Sequence, residues 1–370
     1  MSISLKGSLL GAAAALAVTL ASCSTGTSAA PPAAAPSSPT SIADLTKQAQ
    51  GESGLVIYAN VPTQYFKPVI AAFNKQYPSI KVSATDLDDN TVFSKYEAEA
   101  AQGARTADLL IASAPASWVQ ALQNGVSAGF TPTGLDKFPS WVNQGNGVFV
   151  MSAEPVLLTY SPKLLTPAEV PSTYADLAAA AKSNPGKYKL VSYPIANPLN
   201  YAGIYGLIHT LGPDKVWSYY DAMAPQTKTF NEGLDSLTQI LQGGASIGYM
   251  TSGLAQGVLP QYKGLAGYKF MKDATPLIPR GITVSKKASS PASAQLFQDF
   301  LYTQAGQDAL CAGGFEATMT DYHSTTGCTA SLTALQTQVP ASSTYLVPIN
   351  QAVLDQQGEI TKRWNQSFHR

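Results

Sequence analysis

Leu55-Val-Ile-Tyr-Ala-Asn-Val-Pro-Thr-Gln-Tyr-Phe-Lys-Pro-Val-Ile-Ala-Ala-Phe73 is the stretch whose reading decides the fold. Four residues of strand-forming type, Leu55 to Tyr58, run into a short polar turn from Ala59 to Thr63. Phe66, Val69, Ile70 and Phe73 then recur at helical spacing. The order is strand, turn, helix. In an open α/β sheet such a turn lies at the carboxyl edge of the strands, where crevices form and helix amino ends leave N–H groups free for a ligand. An ordinary βα unit without a ligand has the same pattern, so this stretch alone leaves both readings open.

Downstream the alternation continues. Tyr77 to Ala84 reads as a turn and a second strand, and Asp86 to Thr91 leads into a helix over Val92 to Gln102 with Asn90 at its N-cap. Three aspartates there suit a capped helix end, or a site that attracts a cation. Ala107 to Ala112 is a third strand with Ser113 at its edge. Val148 to Tyr160 reads as extended chain with no helix between its halves, a first crossing into a second lobe. Strands follow over Lys189 to Tyr193, Thr227 to Phe230 and Ser246 to Met250, each separated by helical pattern. Pro279 to Val284 reads as the return crossing. Ser290-Pro291 starts a helix, with proline where its missing donor costs nothing. The tail reads as helix over Asn350 to Ser367.

The chain has 370 residues, 45% hydrophobic and 12% charged, enough for two domains with real cores. Its 23 Lys and Arg balance 23 Asp and Glu, with no basic run. That argues against a nucleic-acid partner, since phosphate contacts need clustered cations. Lys6, the apolar run Leu9 to Leu20 and Ala21-Ser22-Cys23 read as an exported leader, too short to span a bilayer. Leu20-Ala21-Ser22-Cys23 resembles the bacterial lipobox, which implies a signal peptide over 1–22 and an acylated Cys23 anchored to the cell membrane; cleavage without lipidation is the other reading. Residues 23–50 are then a flexible tether, being mostly Ser, Thr, Ala, Gly and Pro at first. Two thiols remain in an oxidising compartment, Cys311 and Cys328, and a disulfide between them is expected. Two free thiols are the alternative.

In this order the pieces resemble the type II extracytoplasmic solute-binding proteins of ABC importers, in the branch named for ferric-iron binding. The likeness rests on Leu55 to Tyr58, Thr106-Ala107-Asp108-Leu109-Leu110, Leu158 to Lys163, Gly243 to Tyr249, Gly281 to Val284 and Phe300 to Gln307. It implies an α/β fold of two lobes joined by a hinge of two crossing segments. Lobe 1 is placed at 54–152 plus 280–320, lobe 2 at 153–279, and an extension packing on the lobes at 321–370. It also implies an interlobe cleft holding a small solute, a membrane permease as partner, a monomer, and no cofactor. By position the cleft contacts are Asn60, Thr63, Asn90 and Ser113 from lobe 1, and Asn200, Tyr201, Asn231 and Tyr249 from lobe 2, with Arg280 at the return crossing.

The iron assignment departs from the branch pattern. Ferric iron wants anionic oxygen ligands, typically paired tyrosines after a strand, whereas here Tyr249 is followed by the soft thioether of Met250. Hydroxyls, amides, helix amino ends and Arg280 suit instead an anionic organic or phosphorylated solute. Ferric iron is the alternative ligand, and a lipoprotein sensor or scaffold the alternative from another class. Catalysis is not expected. Of three histidines, His209 reads as packed helix, and no His-Glu-x-x-His pair occurs; Gly125 to Gly129 and Gly244 to Gly248 match Gly-x-Ser-x-Gly, but the first follows a helical run and the second opens a strand, so neither reads as a strand-to-helix elbow.

Overall fold

A computed structural model describes residues 41–231 and 233–369 of the chain. The signal segment, Cys23 and the tether up to residue 40 lie outside the described residues. Helix α1 (Ile42–Ala49) is capped by Ser41, whose hydroxyl accepts from the Asp44 N–H. Its Leu45 and Ala49 are buried in the first core. The short helix read from the sequence over Ile42 to Ala49, at the end of the 23–50 tether, is α1, packed because Leu45 and Ala49 fall on one face at i, i+4 spacing.

Three βα units follow: β1 (Leu55–Ala59) and α2 (Thr63–Gln76), β2 (Val82–Asp86) and α3 (Asp89–Ala101), β3 (Leu109–Ala112) and α4 (Pro115–Gln123). β1 pairs in parallel with β2 on one side and β3 on the other. Phe66, Val69 and Phe73 turn the α2 stripe into the core, as their spacing predicts. Asp88, not Asn90, is the N-cap of α3; its carboxylate accepts from the N–H groups of Asn90 and Thr91. The chain turns two residues earlier than expected, leaving Asn90 exposed inside the helix.

Antiparallel β4 (Asn143–Gly145) and β5 (Val148–Pro155) come next, and Val156 alone separates β5 from β6 (Leu157–Tyr160) in a second sheet. That sheet grows through α5 (Tyr174–Ser183), β7 (Leu190–Ser192), α6 (Pro198–Leu211), α7 (Pro213–Met223), β8 (Thr227–Thr229), α8 (Gly233–Gln242), β9 (Ile247–Thr251), the short α9 (Ala255–Val258) and β10 (Gly267–Lys269). Its order is β10-β6-β9-β7-β8. β11 (Thr275–Val284) returns to the first sheet, between β3 and β5, and completes the order β2-β1-β3-β11-β5-β4. The architecture is thus α/β with two sheets. The return passage lies between Lys269 and Thr275, upstream of the Pro279 boundary read from the sequence, so Arg280 sits mid-strand. Pro276 and Pro279 hide the first half of this strand, because proline seldom occupies a sheet interior.

Helices α10 (Pro291–Leu301) and α11 (Gln304–Ala312) cover the first sheet, followed by α12 (Leu332–Gln336), β12 (Thr344–Leu346), α13 (Gln351–Asp355) and α14 (Gln357–Ser367). β12 joins β11 at its Thr275 end. The helix expected over 350–367 is present as α13 and α14. Val353, Ile360 and Trp364 are buried in the core of the second sheet, while α13 also touches α4 beside the first. Cys311 and Cys328 are bonded. From inside the loop they close, the Tyr322 hydroxyl at 2.7 Å and the Thr325 hydroxyl at 2.6 Å donate to Asp308 of α11, just before the loop. Among the described residues no helix is long and apolar enough to cross a membrane.

Candidate functional site

Between the two sheets lies a cleft of about 1050 Å³. Its position follows from the strand order: in both sheets the chain segments that leave the carboxyl ends of parallel strands face it. On the first side stand Asn60, Pro62, Gln64 and Tyr65 after β1, Asp86, Leu87 and Asp88 after β2, and Ala312 and Gly313 at the end of α11. On the second side stand Thr159 of β6, Tyr193 after β7, Gly233, Ser236 and Leu237 of α8, and the segment from Thr251 to Tyr262 around α9. The lining mixes hydroxyls, amides, tyrosine rings and carboxylates.

Behind the first wall runs a buried polar chain. The Arg280 guanidinium donates to both Glu154 carboxylate oxygens, at 2.8 and 3.0 Å, a two-point pair in which each side chain is only 2% exposed. Its remaining nitrogen donates to the Asn60 carbonyl at 2.9 Å and to the Asn60 side-chain oxygen. Asn60 in turn donates to the Ser113 hydroxyl at 2.7 Å and to Asp89. Asp89 also accepts from the Ser113 N–H at 3.0 Å. Burial pushes the Asp89 carboxyl up to about 6, against the pull of Arg280. Neighbouring strands β5 and β11 supply Glu154 and Arg280, which sit diagonally across the pair, Arg280 opposite Ser152 and Glu154 opposite Ile278.

Three of the expected contacts, Asn60, Ser113 and Arg280, are therefore brought together, but only Asn60 reaches the cleft lining. Arg280 is neutralised by Glu154 and covered by the Phe315 ring, 5.7 Å away. Thr63 opens α2 and is exposed outside the lining, and Asn90 is exposed with its side-chain oxygen near the Ser117 hydroxyl. Asn231 is an exposed bend residue beside Gly233, outside the lining.

Asn200, Tyr201 and Tyr249 are packed inside the second half. Asn200 donates to the Tyr193 carbonyl at 2.7 Å, and the Tyr201 hydroxyl donates to the Val353 carbonyl. Tyr249 is 2% exposed, its hydroxyl 3.2 Å from that of Thr227 and its ring edge-on to Tyr220. Burial holds its phenol well above the usual range. Asn200 and Tyr201 were read as a polar turn ahead of a helix starting at Ile204, whereas α6 already starts at Pro198 and buries both; sequence periodicity does not say which face the helices of the second sheet cover.

Beyond Ser252, the segment around α9 went unnoticed because it has neither strand nor long-helix periodicity. It is where the two sides meet. A Cβ on Gly257 would lie 2.9 Å from the Gly314 Cα, and Gln256 donates to Glu316 across 3.3 Å. Asp86 and Asp88 stand in the aspartate run already noted, at the end of β2 and at the N-cap of α3.

Residues 68–327 match the profile of a family described as bacterial extracellular solute-binding protein. No protein of curated function matches the chain. Among solved structures, the substrate-binding protein of an ABC transporter from Agrobacterium tumefaciens superposes with a TM-score of 0.76 at 20% identity, covering 86% of this chain and 96% of that one. Iron-bound HitA from Pseudomonas aeruginosa gives 0.68 at 16%, covering 85% and 99%. The periplasmic binding protein AfuA from Actinobacillus pleuropneumoniae, with exogenous fructose-6-phosphate bound, gives 0.68 at 16%, covering 85% and 98%. At these identities the likeness is one of fold.

Proposed function

This chain belongs to the bacterial extracellular solute-binding proteins, and from that premise we propose that it captures a small solute and presents it to an ABC permease. The observation that carries the proposal is the cleft itself, closed over from both sheets at their carboxyl ends and backed by a buried polar chain. A solute touching both walls stabilises the closed form, and closure is the signal a permease can read. Binding runs without turnover, and the family is one of solute binding.

Iron is the less supported cargo. Tyr249, the phenol nearest the branch pattern, faces Thr227 and Tyr220 rather than the cleft. For localisation, the leader and the lipobox-like Leu20 to Cys23 support a chain held outside the cell membrane by lipid on Cys23. A Cys23→Ala chain then moves from the membrane to the soluble fraction; a chain that stays in the membrane fraction overturns the anchor.

The receptor reading is tested by loading the mature chain with a polar extract of bacterial cells, washing, and releasing what is held by heat for mass spectrometry. A small molecule retained by the folded but not the unfolded chain is expected. Retention of nothing overturns the reading.

A further inference from the structure

Where α9 of the second side meets the first side, the contact includes a carboxyl group. The Gln256 amide donates to a Glu316 carboxyl oxygen at 3.3 Å, beside the place where Gly257 lies against Gly314. Glu316 is 2% exposed, and its backbone N–H donates to the Ser152 hydroxyl of β5. The residue is thus fixed to the first side while its carboxyl is covered from the second. None of the ion pairs among the described residues includes it. The titratable groups around it offer no partner: Glu154 of β5 bears the same charge, Arg280 of β11 is held by Glu154 at two points, and Tyr268 of β10 is a phenol raised by its own burial and by Glu316. Asp89 belongs to the same Arg280 and Glu154 chain and adds another carboxyl. A carboxyl buried without a cation is kept at least cost as the neutral acid, which still accepts the Gln256 N–H.

We propose that Glu316 is a proton-operated latch on the cleft: closing the two walls over a solute takes up one proton on its carboxyl, and loss of that proton lets them part. This rests on the receptor reading above and adds the pH of the surrounding medium as a control on capture. With α9 drawn back, water reaches the carboxyl and the group titrates as an ordinary glutamate. Under α9 it holds its proton more tightly, so closure and protonation favour one another. Below about 4.5 both forms carry the proton; from there toward about 8 only the closed form keeps it, and solute affinity falls by up to about tenfold per pH unit. Capture is strongest in an acid medium.

The test is equilibrium dialysis of the mature chain against a polar extract of bacterial cells at about pH 5.5 and about pH 7.5, on either side of the middle of that window. Mass spectrometry reads the ratio of bound to free for each small molecule. For wild type, the enriched solute should show a ratio at least about tenfold lower at the higher pH. Glu316→Gln cannot ionise and should hold the ratio level. Gln256→Lys, which leaves Glu316 in place and sets an ammonium against it, lets the walls close on the ionised carboxylate and should level the ratio too. Melting temperatures show that each variant is folded, and if Glu316→Gln is not, Gln256→Lys decides. A wild-type ratio that does not change with pH overturns the latch and leaves the receptor reading standing. So does a fall as steep in the folded variants as in wild type, which would come from titration of the solute itself. Enrichment of nothing at either pH overturns both.

Discussion

Arg280 directs four of its five N–H donors at its own protein: Glu154 takes two, the Asn60 backbone and side chain two more, and Phe315 lies against its face. Its role is therefore to hold β5, β11 and the first cleft turn together. Replacing it with Met strands the Glu154 carboxylate in the interior. A loss of about 3–5 kcal/mol in denaturant unfolding is expected, with much of it recovered when Glu154 is also made Met. If Arg280→Met unfolds like wild type, the pair is not structural. Glu316 makes a second prediction at this scale. Burial pushes its carboxyl from the ordinary 4.5 up to about 8, with Glu154 adding to the rise and the Gln256 hydrogen bond opposing it. Between those values the folded chain keeps a proton that the unfolded chain releases. The resulting stability is full below about 4.5 and is lost as pH rises toward about 8. Glu316→Gln, which cannot ionise, should flatten the fall in melting temperature across that window. An equally steep fall in the variant would remove Glu316 as its source.

At the scale of elements, the strongest family marks turn out to be braces. Asp108, inside Thr106 to Leu110, is fully buried and accepts from the N–H groups of Val56, Ser289 and Ser290 at 2.7–2.8 Å. It ties β1, β3 and the approach to α10 through one carboxylate. Glu52 does the same for the start of α10, accepting from the Ala292 and Ser293 N–H groups. The disulfide acts on the loop after α11, whose last residues and following turn contribute Ala312 and Gly313 to the cleft. Its two cysteines are 17 residues apart, and a loop of that size is worth about 3 kcal/mol on the chain-entropy account. Changing both cysteines to Ser should lower unfolding stability by about 2–4 kcal/mol, and reductant should do the same to wild type but nothing to the variant. A reductant-insensitive wild type contradicts this.

Across the whole molecule, closure depends on how near α9 can come to the turn after α11. Gly257 and Gly314 meet backbone to backbone, with no room for a side chain on Gly257. Gly257→Val should hold the two sides apart. Solution scattering should then show a larger radius of gyration than wild type when both are given the cell extract, and solute retention should fall by tenfold or more, while the melting temperature of the empty chain changes little. A variant as compact as wild type would place the closing contact elsewhere.

Much of this arrangement was legible before folding. The βα succession from Leu55, the two passages between sheets, the paired Cys311 and Cys328 and the helical tail all follow from periodicity, breakers and cysteine count, which are local properties of the chain. The return passage was misplaced because Pro276 and Pro279 mask a strand that its neighbours β3 and β5 hold in the sheet. The cleft was legible only as a set of turns. Of nine expected contacts, Asn60 alone lines it, with Ser113 and Arg280 bound behind it.

The amino-acid order by itself determined an α/β chain of two sheets with a crevice at their strand ends, because hydrophobic period and turn chemistry act over a few residues. Which side chains face that crevice was decided by tertiary structure. Tyr201 and Tyr249 turn away because Val353 and Thr227, distant in sequence, take their hydroxyls, and Arg280 is spent on Glu154 from another strand. Partners so far apart along the chain meet only when the sheets pack, and it is that packing that sets Gln256 of α9 against Glu316.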